Sequence, residues 1–412
     1  MITLAALLLS PAAHAFCGTY MGSAGSQIFN NASQIAVVRQ DGRTTLTLAN
    51  DYEGELSEFA LVVPVPEILT EADVAVVDPE VIQGLDAYSA PRRVSYSCYE
   101  SDGGAADGGA TDGTDVTADG VTVEGEFTKG EYHIVILSAK ESTGLVDWLQ
   151  GNGYGIPDGA EDILGEYIEA GSYFFAAQVA LDKLPDGRTW LSPLQFGYNA
   201  DILSLPIRMG TINSPGAQDL IVYAIGDADK GQTLISNYDE VTMDSDCMWP
   251  SYTDDFDSFY ASSFQDAMSA HPGAGWVLEY AWNTGSCDPC SAEPPDSKTL
   301  STLGYDGDPY STFLTRLHMR YAPDEVGEDL VFYQSGITTN TQIKYIDYDA
   351  CLVGRYPLCS GFEPDGADSG AGPGAEDPKE DSGCSGCGAP GPAGLLLVPW
   401  ALLGVWRRRR RG

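Results

Sequence analysis

The chain has 412 residues, with 60 Asp and Glu against 21 Lys and Arg and a net charge of −39. A surface that acidic repels nucleic acid and anionic lipid headgroups, which removes both from the partners expected for the main body. The hydrophobic content of 43% is that of a folded protein, so the acidity sits on a globular chain.

The first fifteen residues, MITLAALLLSPAAHA, have an apolar run followed by the small-x-small pattern Ala13-His14-Ala15. They read as a secretory signal cut between Ala15 and Phe16, although no Lys or Arg precedes the apolar run. Residues 34–51, QIAVVRQDGRTTLTLAND, give two β-type runs around Asp41-Gly42 and predict a hairpin. FALVVPVP at 59–66 predicts a strand that stops at its prolines. RRVSYSC and VTVEGEF predict strands on either side of an insert at 100–120, made of Gly, Ala, Thr and Asp. With so little to bury, that insert is expected to be a surface loop.

EYHIVILSA predicts another strand, and two helices follow. One ends at Gly151 or Gly153. The other runs through AEDILGEYIEAG, with Ile163, Leu164, Tyr167 and Ile168 toward one face. SYFFAAQVAL, SPLQFGY and DLIVYAI return to strand character. Residues 254–270 suit a helix with Phe256, Phe259, Tyr260 and Phe264 along one face; GWVLEYAW, FLTRLHMRY, EDLVFY and QIKYIDY read as strands. The expectation is a β-rich α+β fold. The body at 16–360 is longer than the roughly 250–300 residues at which single cores stop growing. Two interlocked lobes, 16–226 and 227–360, are therefore expected.

From 361 to 383 Pro, Gly and acids dominate, the composition of an extended, self-repelling linker. Behind it, 384–412 has three parts: Cys384-Ser-Gly-Cys387, an uncharged span at 389–406, and five arginines at 407–411. Eighteen residues at about 1.5 Å each reach roughly 27 Å, just enough for a hydrocarbon core. The arginines would remain cytoplasmic, so the membrane is the one partner this tail implies directly.

Export makes disulfides plausible. Nine cysteines are present, and the spacing favours local bridges Cys351–Cys359 and Cys287–Cys290. The Cys287-Asp-Pro-Cys290 motif has the C-x-x-C form of thiol–disulfide enzymes. It lies in a Pro/Ser/Gly-rich stretch and not between a strand and a helix, which favours a structural bridge. His133, His271 and His318 are too few and too scattered to predict a metal site. His133 and His318 sit inside strand-like runs and read as structural or exposed. The acids gather in the insert (Asp102, Asp107, Asp112, Asp115, Asp119) and at Asp244, Asp246, Asp254, Asp255 and Asp257. Calcium could use either group, but a solvated loop is the favoured reading, and no cofactor is expected.

The tail resembles the MYXO-CTERM type of C-terminal sorting signal of myxobacteria and relatives, in its Gly-Cys pair, single apolar span and terminal arginines. That resemblance implies cleavage of the span by a membrane sorting protease and a lipid anchor on Cys384 or Cys387. The body, through FCGTY, NNASQIAVVR, LTLANDYEGELSEFALVVPVP, APRRVSY, LSAKESTGLVDWLQGNGYGIP, LSPLQFGYNADILSLPIRMG and FLTRLHMRY, resembles the bacterial family called domain of unknown function 2330. This implies an exported family domain and carries over no catalytic residue. The function expected is a surface-anchored, non-enzymatic binding, adhesion or envelope-structural module whose ligand the sequence does not name. The rival is an envelope enzyme, working by thiol–disulfide exchange at Cys287 and Cys290 or as a hydrolase.

Overall fold

Asp41 and Gly42 both adopt left-handed backbone angles, with φ of 52° and 85°. They form the two-residue turn that matches the twist of its flanking strands. Strands Ser33–Gln40 and Arg43–Asn50 pair from Ser33↔Asn50 to Gln40↔Arg43. The computed structural model describes residues 19–22, 28–29, 33–50, 53–54, 59–96, 125–138, 142–157, 159–180, 191–212, 214, 216–249, 255–360 and 362. The expected signal segment, the insert at 100–120, nearly all of the linker and the tail at 384–412 lie outside the described residues.

The hairpin stands within a nine-stranded sheet. Its path runs Asp239–Glu240, Gly275–Asn283, Thr312–Tyr321, Gln218–Asp227, Ser33–Gln40, Arg43–Asn50, Leu194–Asn199 and Val74–Val76, with Thr341–Gln342 added beside Gly275–Asn283. Gly226, the expected lobe boundary, is inside one of these strands and pairs with Phe313. Strands from both sides of Gly226 alternate in a single hydrogen-bonded ladder, so the chain does not divide there.

A second sheet has the order Thr19–Gly22, Phe59–Val65, Tyr173–Val179, Tyr132–Leu137 and Gly125–Lys129. Its strands alternate in the period-2 manner. Leu61, Val63, Ile134, Ile136, Phe175 and Ala177 join Ile35, Val37, Leu220, Val222, Leu317 and Met319 of the larger sheet in the main core. Ala60, Val62, Val135, Phe174 and Ala176 face the other way, against helices Ser142–Gly151 and Ala160–Glu169. The Phe59–Val65 strand runs through Pro64 and ends before Pro66, the second of the prolines at which the sequence predicts it to stop. Pro64 pairs with Phe174 on one side, while Thr19–Gly22 reaches only Val62 on the other. Among the described residues no strand pairs with Pro64 on that second side, and a proline is tolerated where no ladder bond is required of it.

The outer face of the larger sheet is also covered. Helices Pro79–Ser89 and Ser297–Thr302 cap Ala36, Val38, Tyr223 and Ile225. Helix Phe256–Ala270 lies over Val277, Trp249 and Tyr345. The layers run helix, sheet, sheet, helix, a β-rich α+β arrangement. Among the described residues no helix is long and apolar enough to cross a membrane.

The expected Cys351–Cys359 bridge is not formed. Cys359 bonds to Cys247, 112 residues earlier, with Cα atoms 4.9 Å apart. The reason is backbone pairing: Met248 N donates to Pro357 O at 2.8 Å and Cys359 N to Met248 O at 2.9 Å. These bonds lay the end of the body along strand Cys247–Trp249 and turn Cys359 toward Cys247. Cys351, in the short turn Ala350–Leu352, is also disulfide-bonded.

Candidate functional site

Two places in the fold gather charge. The first lies on the outer face of the larger sheet, along strand Thr312–Tyr321. Arg316, His318 and Arg320 alternate on that face because they are two residues apart. Glu279, next to a β-bulge in the neighbouring strand, joins them. Trp276 and Leu278 face the main core and Val277 the outer face, so alternation puts Glu279 on the outer face. The register with Thr312–Tyr321 shifts between Leu278 and Tyr280, and Tyr280 lies on the outer face as well.

The Glu279 side chain has no exposure to solvent. It accepts from Arg316 Nε, from the Tyr260 hydroxyl, and lies 2.7 Å from His318 Nδ1. Arg316 Nη1 donates to Asp86 Oδ1 of helix Pro79–Ser89 at 2.6 Å. On the far side of His318, Asp219 Oδ1 is 3.6 Å from Nε2, and Asp219 also pairs with Arg320. The Phe264 ring stacks on the imidazole at 3.8 Å and 6°. Burial alone would raise the Glu279 carboxyl; Arg316 and His318 overcome it and hold the pKa at about 2. Burial likewise opposes charge on His318, but Glu279 and Asp219 outweigh it and raise the imidazole to about 9. The network is closed: each charge meets an opposite charge beneath helix Phe256–Ala270.

The second place is a cleft of about 390 Å³ where the end of Phe59–Val65, helix Ala160–Glu169 and the segment 198–208 meet Asp329. Tyr167, from the buried face of its helix, donates to Asp329 Oδ1 at 2.7 Å. The Arg208 backbone amide donates to the same oxygen at 3.2 Å. Among the described residues Asp329 Oδ2 has no partner. The Asp329 loop is fixed from behind: Asn237 Nδ2 donates to Asp329 O at 2.8 Å and the Tyr238 hydroxyl to Glu328 O at 2.6 Å. Burial pushes the Asp329 carboxyl above its ordinary value, more than the Tyr167 hydroxyl, the Arg208 amide and the Arg208 charge pull it down. Arg208 Nη1 reaches the exposed Glu166 at 2.5 Å. Its Nε and Nη2 have no partner among the described residues. Pro64, Pro66, Pro206 and Tyr198 form apolar wall, and Ser172 and Ser204 bring hydroxyls. A fixed carboxylate and a guanidinium, each with unused bonding capacity in one concave space, are the features of a small-ligand site.

Across the turn at 200–204 lies a smaller hollow of about 230 Å³. Arg39 is spent on holding that turn, donating to Ala200 O at 2.6 Å and Asp201 O at 3.0 Å.

Cys287 and Cys290 are bonded to each other, in a loop pinned by its own carbonyls. Arg92 Nη1 donates to Pro289 O at 3.0 Å and the Tyr88 hydroxyl to Ser286 O at 3.2 Å. Gln342 donates to Asp288 O. Three acids of the second clump have separate tasks, while Asp254 and the acids of the insert lie outside the described residues. Asp244 accepts from Ser360 N at 2.9 Å, Asp246 pairs with Lys344 at 3.2 Å, and Asp255 caps helix Phe256–Ala270. Among the described residues no group of three or more His, Cys, Asp and Glu is placed to hold a metal. His133 pairs with Glu126 at 2.8 Å on a half-exposed strand, and His271 ends a helix. Cys384, Cys387, Ala15 and Phe16 lie outside the described residues. Sequence reasoning singled out neither Asp329 nor Arg208. Arg208 falls in LSLPIRMG, quoted above for its family resemblance, but nothing in the spacing marks it as facing Asp329, 121 residues later.

The comparisons with known proteins agree with the resemblance of the body. The chain belongs to the bacterial family described as uncharacterized protein conserved in bacteria, DUF2330, whose model matches residues 11–333. Asp329, Arg208, Glu279, Arg316 and His318 all fall within that stretch. No curated protein matches the chain. Among solved structures, baculovirus P35 matches with 11% identity over 78% of this chain and 100% of that one. Its TM-score is 0.26, and the likeness carries no argument.

Proposed function

We propose that this protein is an exported, surface-anchored binding module and not an enzyme, with its ligand seated at Asp329. The observation that carries the reading is the unused capacity in the cleft: Asp329 and Arg208 both line a space of about 390 Å³, and Asp329 Oδ2 and Arg208 Nε and Nη2 have no partners among the described residues. Elsewhere the closest-packed titratable groups neutralise one another, and Cys287 is bonded to Cys290, which supports binding over redox chemistry. The reading of residues 1–15 as a signal is in keeping with the disulfides, which persist in oxidising compartments. In this reading the mature chain begins at Phe16, a membrane protease removes the span at 389–406, and a lipid on Cys384 or Cys387 anchors it. The linker at 361–383 then holds the body away from the membrane. No cofactor enters this scheme.

The test is retention of small molecules from a cell-surface extract on the immobilised full chain, compared with Asp329→Asn. Retention by the wild type that the variant loses supports the reading; no retention, or equal retention by both, overturns it. The processing scheme is checked by intact mass of the surface form, which should start at Phe16 and lack Arg407 to Arg411.

A further inference from the structure

We propose that the cleft takes a free α-amino acid, with its ammonium on Asp329 and its carboxylate on Arg208. This rests on the reading of the cleft as a ligand site and adds the class of ligand.

The argument is one of charge and reach. Asp329 Oδ1 is used twice, by the Tyr167 hydroxyl and the Arg208 amide, which fixes the plane of the carboxyl. The other oxygen is an acceptor, in a carboxyl that bonds to no cation: the Arg208 guanidinium, near enough for its charge to lower the Asp329 pKa, bonds to Glu166. Burial raises its proton affinity, and a ligand cation would relieve the same strain as a proton does. Arg208 has the opposite need: Glu166 takes one of its nitrogens, leaving Nε and Nη2 for a planar anion. A monovalent cation would satisfy Asp329 alone, and a simple anion Arg208 alone. A zwitterion satisfies both.

The reach of an arginine side chain is of the order that one amino acid needs. The ligand's nitrogen and carboxylate oxygens are about 3 Å apart, and a hydrogen bond of about 2.8 Å at each end spans roughly 6–8 Å. An arginine side chain extends over a similar length from its own backbone, and the Arg208 backbone nitrogen already touches Asp329. Pro64, Pro66 and Pro206 offer an apolar wall to a side chain, while the hydroxyls of Ser172 and Ser204 suit a polar one. The ligand is neutral overall, so the net charge of −39 does not exclude it as it would an anion.

The experiment is a thermal-shift and calorimetric screen of the purified full chain against the common L-amino acids at millimolar concentration. Two derivatives of each hit accompany it: the decarboxylated amine and the N-acetyl acid. At least one amino acid should raise the melting temperature, and both derivatives should bind tenfold or more weakly. Asp329→Asn keeps an oxygen for Tyr167 and the Arg208 amide, and Arg208→Gln leaves only an exposed Glu166 unpaired, so both variants should fold. Each should weaken the hit at least tenfold. Equal binding of the amine or the acetylated form, or unchanged binding in both variants, overturns the proposal. The same plates carry neutral sugars and short peptides. If one of those binds in an Asp329-dependent way and no amino acid does, the amino-acid assignment falls while the binding reading stands; if nothing binds, both fall.

Discussion

Glu279 and Asp329 are both carboxylates drawn out of water close to an arginine, and the fold treats them in opposite ways. Around Glu279 the sheet supplies Arg316 and His318 from one strand and Tyr260 from the covering helix, and the acid ends far below its ordinary pKa. Around Asp329 only neutral donors arrive at one oxygen, the arginine side chain points to Glu166, and the carboxyl ends above its ordinary pKa. The first arrangement is complete in itself and holds two layers together. The second leaves one oxygen of a half-buried carboxyl open to the cleft, with its pKa shifted by its surroundings, and a shifted group in a concave space is the basis of the binding proposal. The difference is not one of residue type. It comes from where strand alternation and strand pairing place the cations.

The sharpest way to break the comparison is to remove Glu279. Glu279→Ala leaves Arg316 and His318 facing each other without their shared anion, and breaking a buried pair in this way costs about 3–5 kcal/mol. Urea unfolding of the full chain should show that loss, and a change under about 1 kcal/mol would mean the network is no more than a surface ion pair. Glu166→Ala, at the exposed partner of Arg208, should leave the midpoint unchanged.

A somewhat smaller effect is expected from pH. His318 is raised from 6.5 to about 9, so its proton is held more tightly in the folded chain. The stability it contributes is fully present below pH 6.5 and is lost as pH rises through about 9. The groups facing it are Glu279, Asp219, Arg316 and Arg320 on the sheet, with Tyr260 and Phe264 on the helix. A rise of this size corresponds to on the order of 3 kcal/mol. Melting temperature against pH should fall across that window in the wild type and be flatter in His318→Gln; parallel curves would show that His318 is not charged in the fold.

Much of the scaffold that builds these two regions is legible in the sequence. Asp41-Gly42 declares its turn, the alternating runs declare their strands, and the aromatic face of 256–270 declares its helix. FLTRLHMRY even carries the network in plain view, since Arg316, His318 and Arg320 share a strand face by spacing alone. What spacing could not show is which strand lies beside FLTRLHMRY, so the pairing that sets Glu279 against Arg316 and His318 is not readable from GWVLEYAW alone. Helix Pro79–Ser89 escaped notice although Asp78 and Pro79 form a proper start signal. The Cys247–Cys359 bridge and the Asp329–Arg208 approach are contacts between distant segments, set by sheet register, and one sequence carries no local trace of either. A carboxylate among 60 acids gains its meaning only from the neighbours the fold gives it.

The smallest effect has the opposite sign, and it separates the two regions most directly. Asp329 holds a proton more tightly in the folded chain than in the unfolded one. The wild type is therefore progressively destabilised as pH rises from the ordinary aspartate value through the raised one, and above that window the full cost of the buried charge is present. Asp329→Asn keeps both bonds to Oδ1 and removes the charge. It should melt higher than wild type at neutral pH and no higher at acid pH, where the wild-type carboxyl is already neutral. The same substitution should abolish ligand binding, so stability gained and function lost would coincide at one residue. Asp329→Asn melting lower at neutral pH would mean that the carboxylate already has its counter-charge within the fold, and the contrast with Glu279 would disappear.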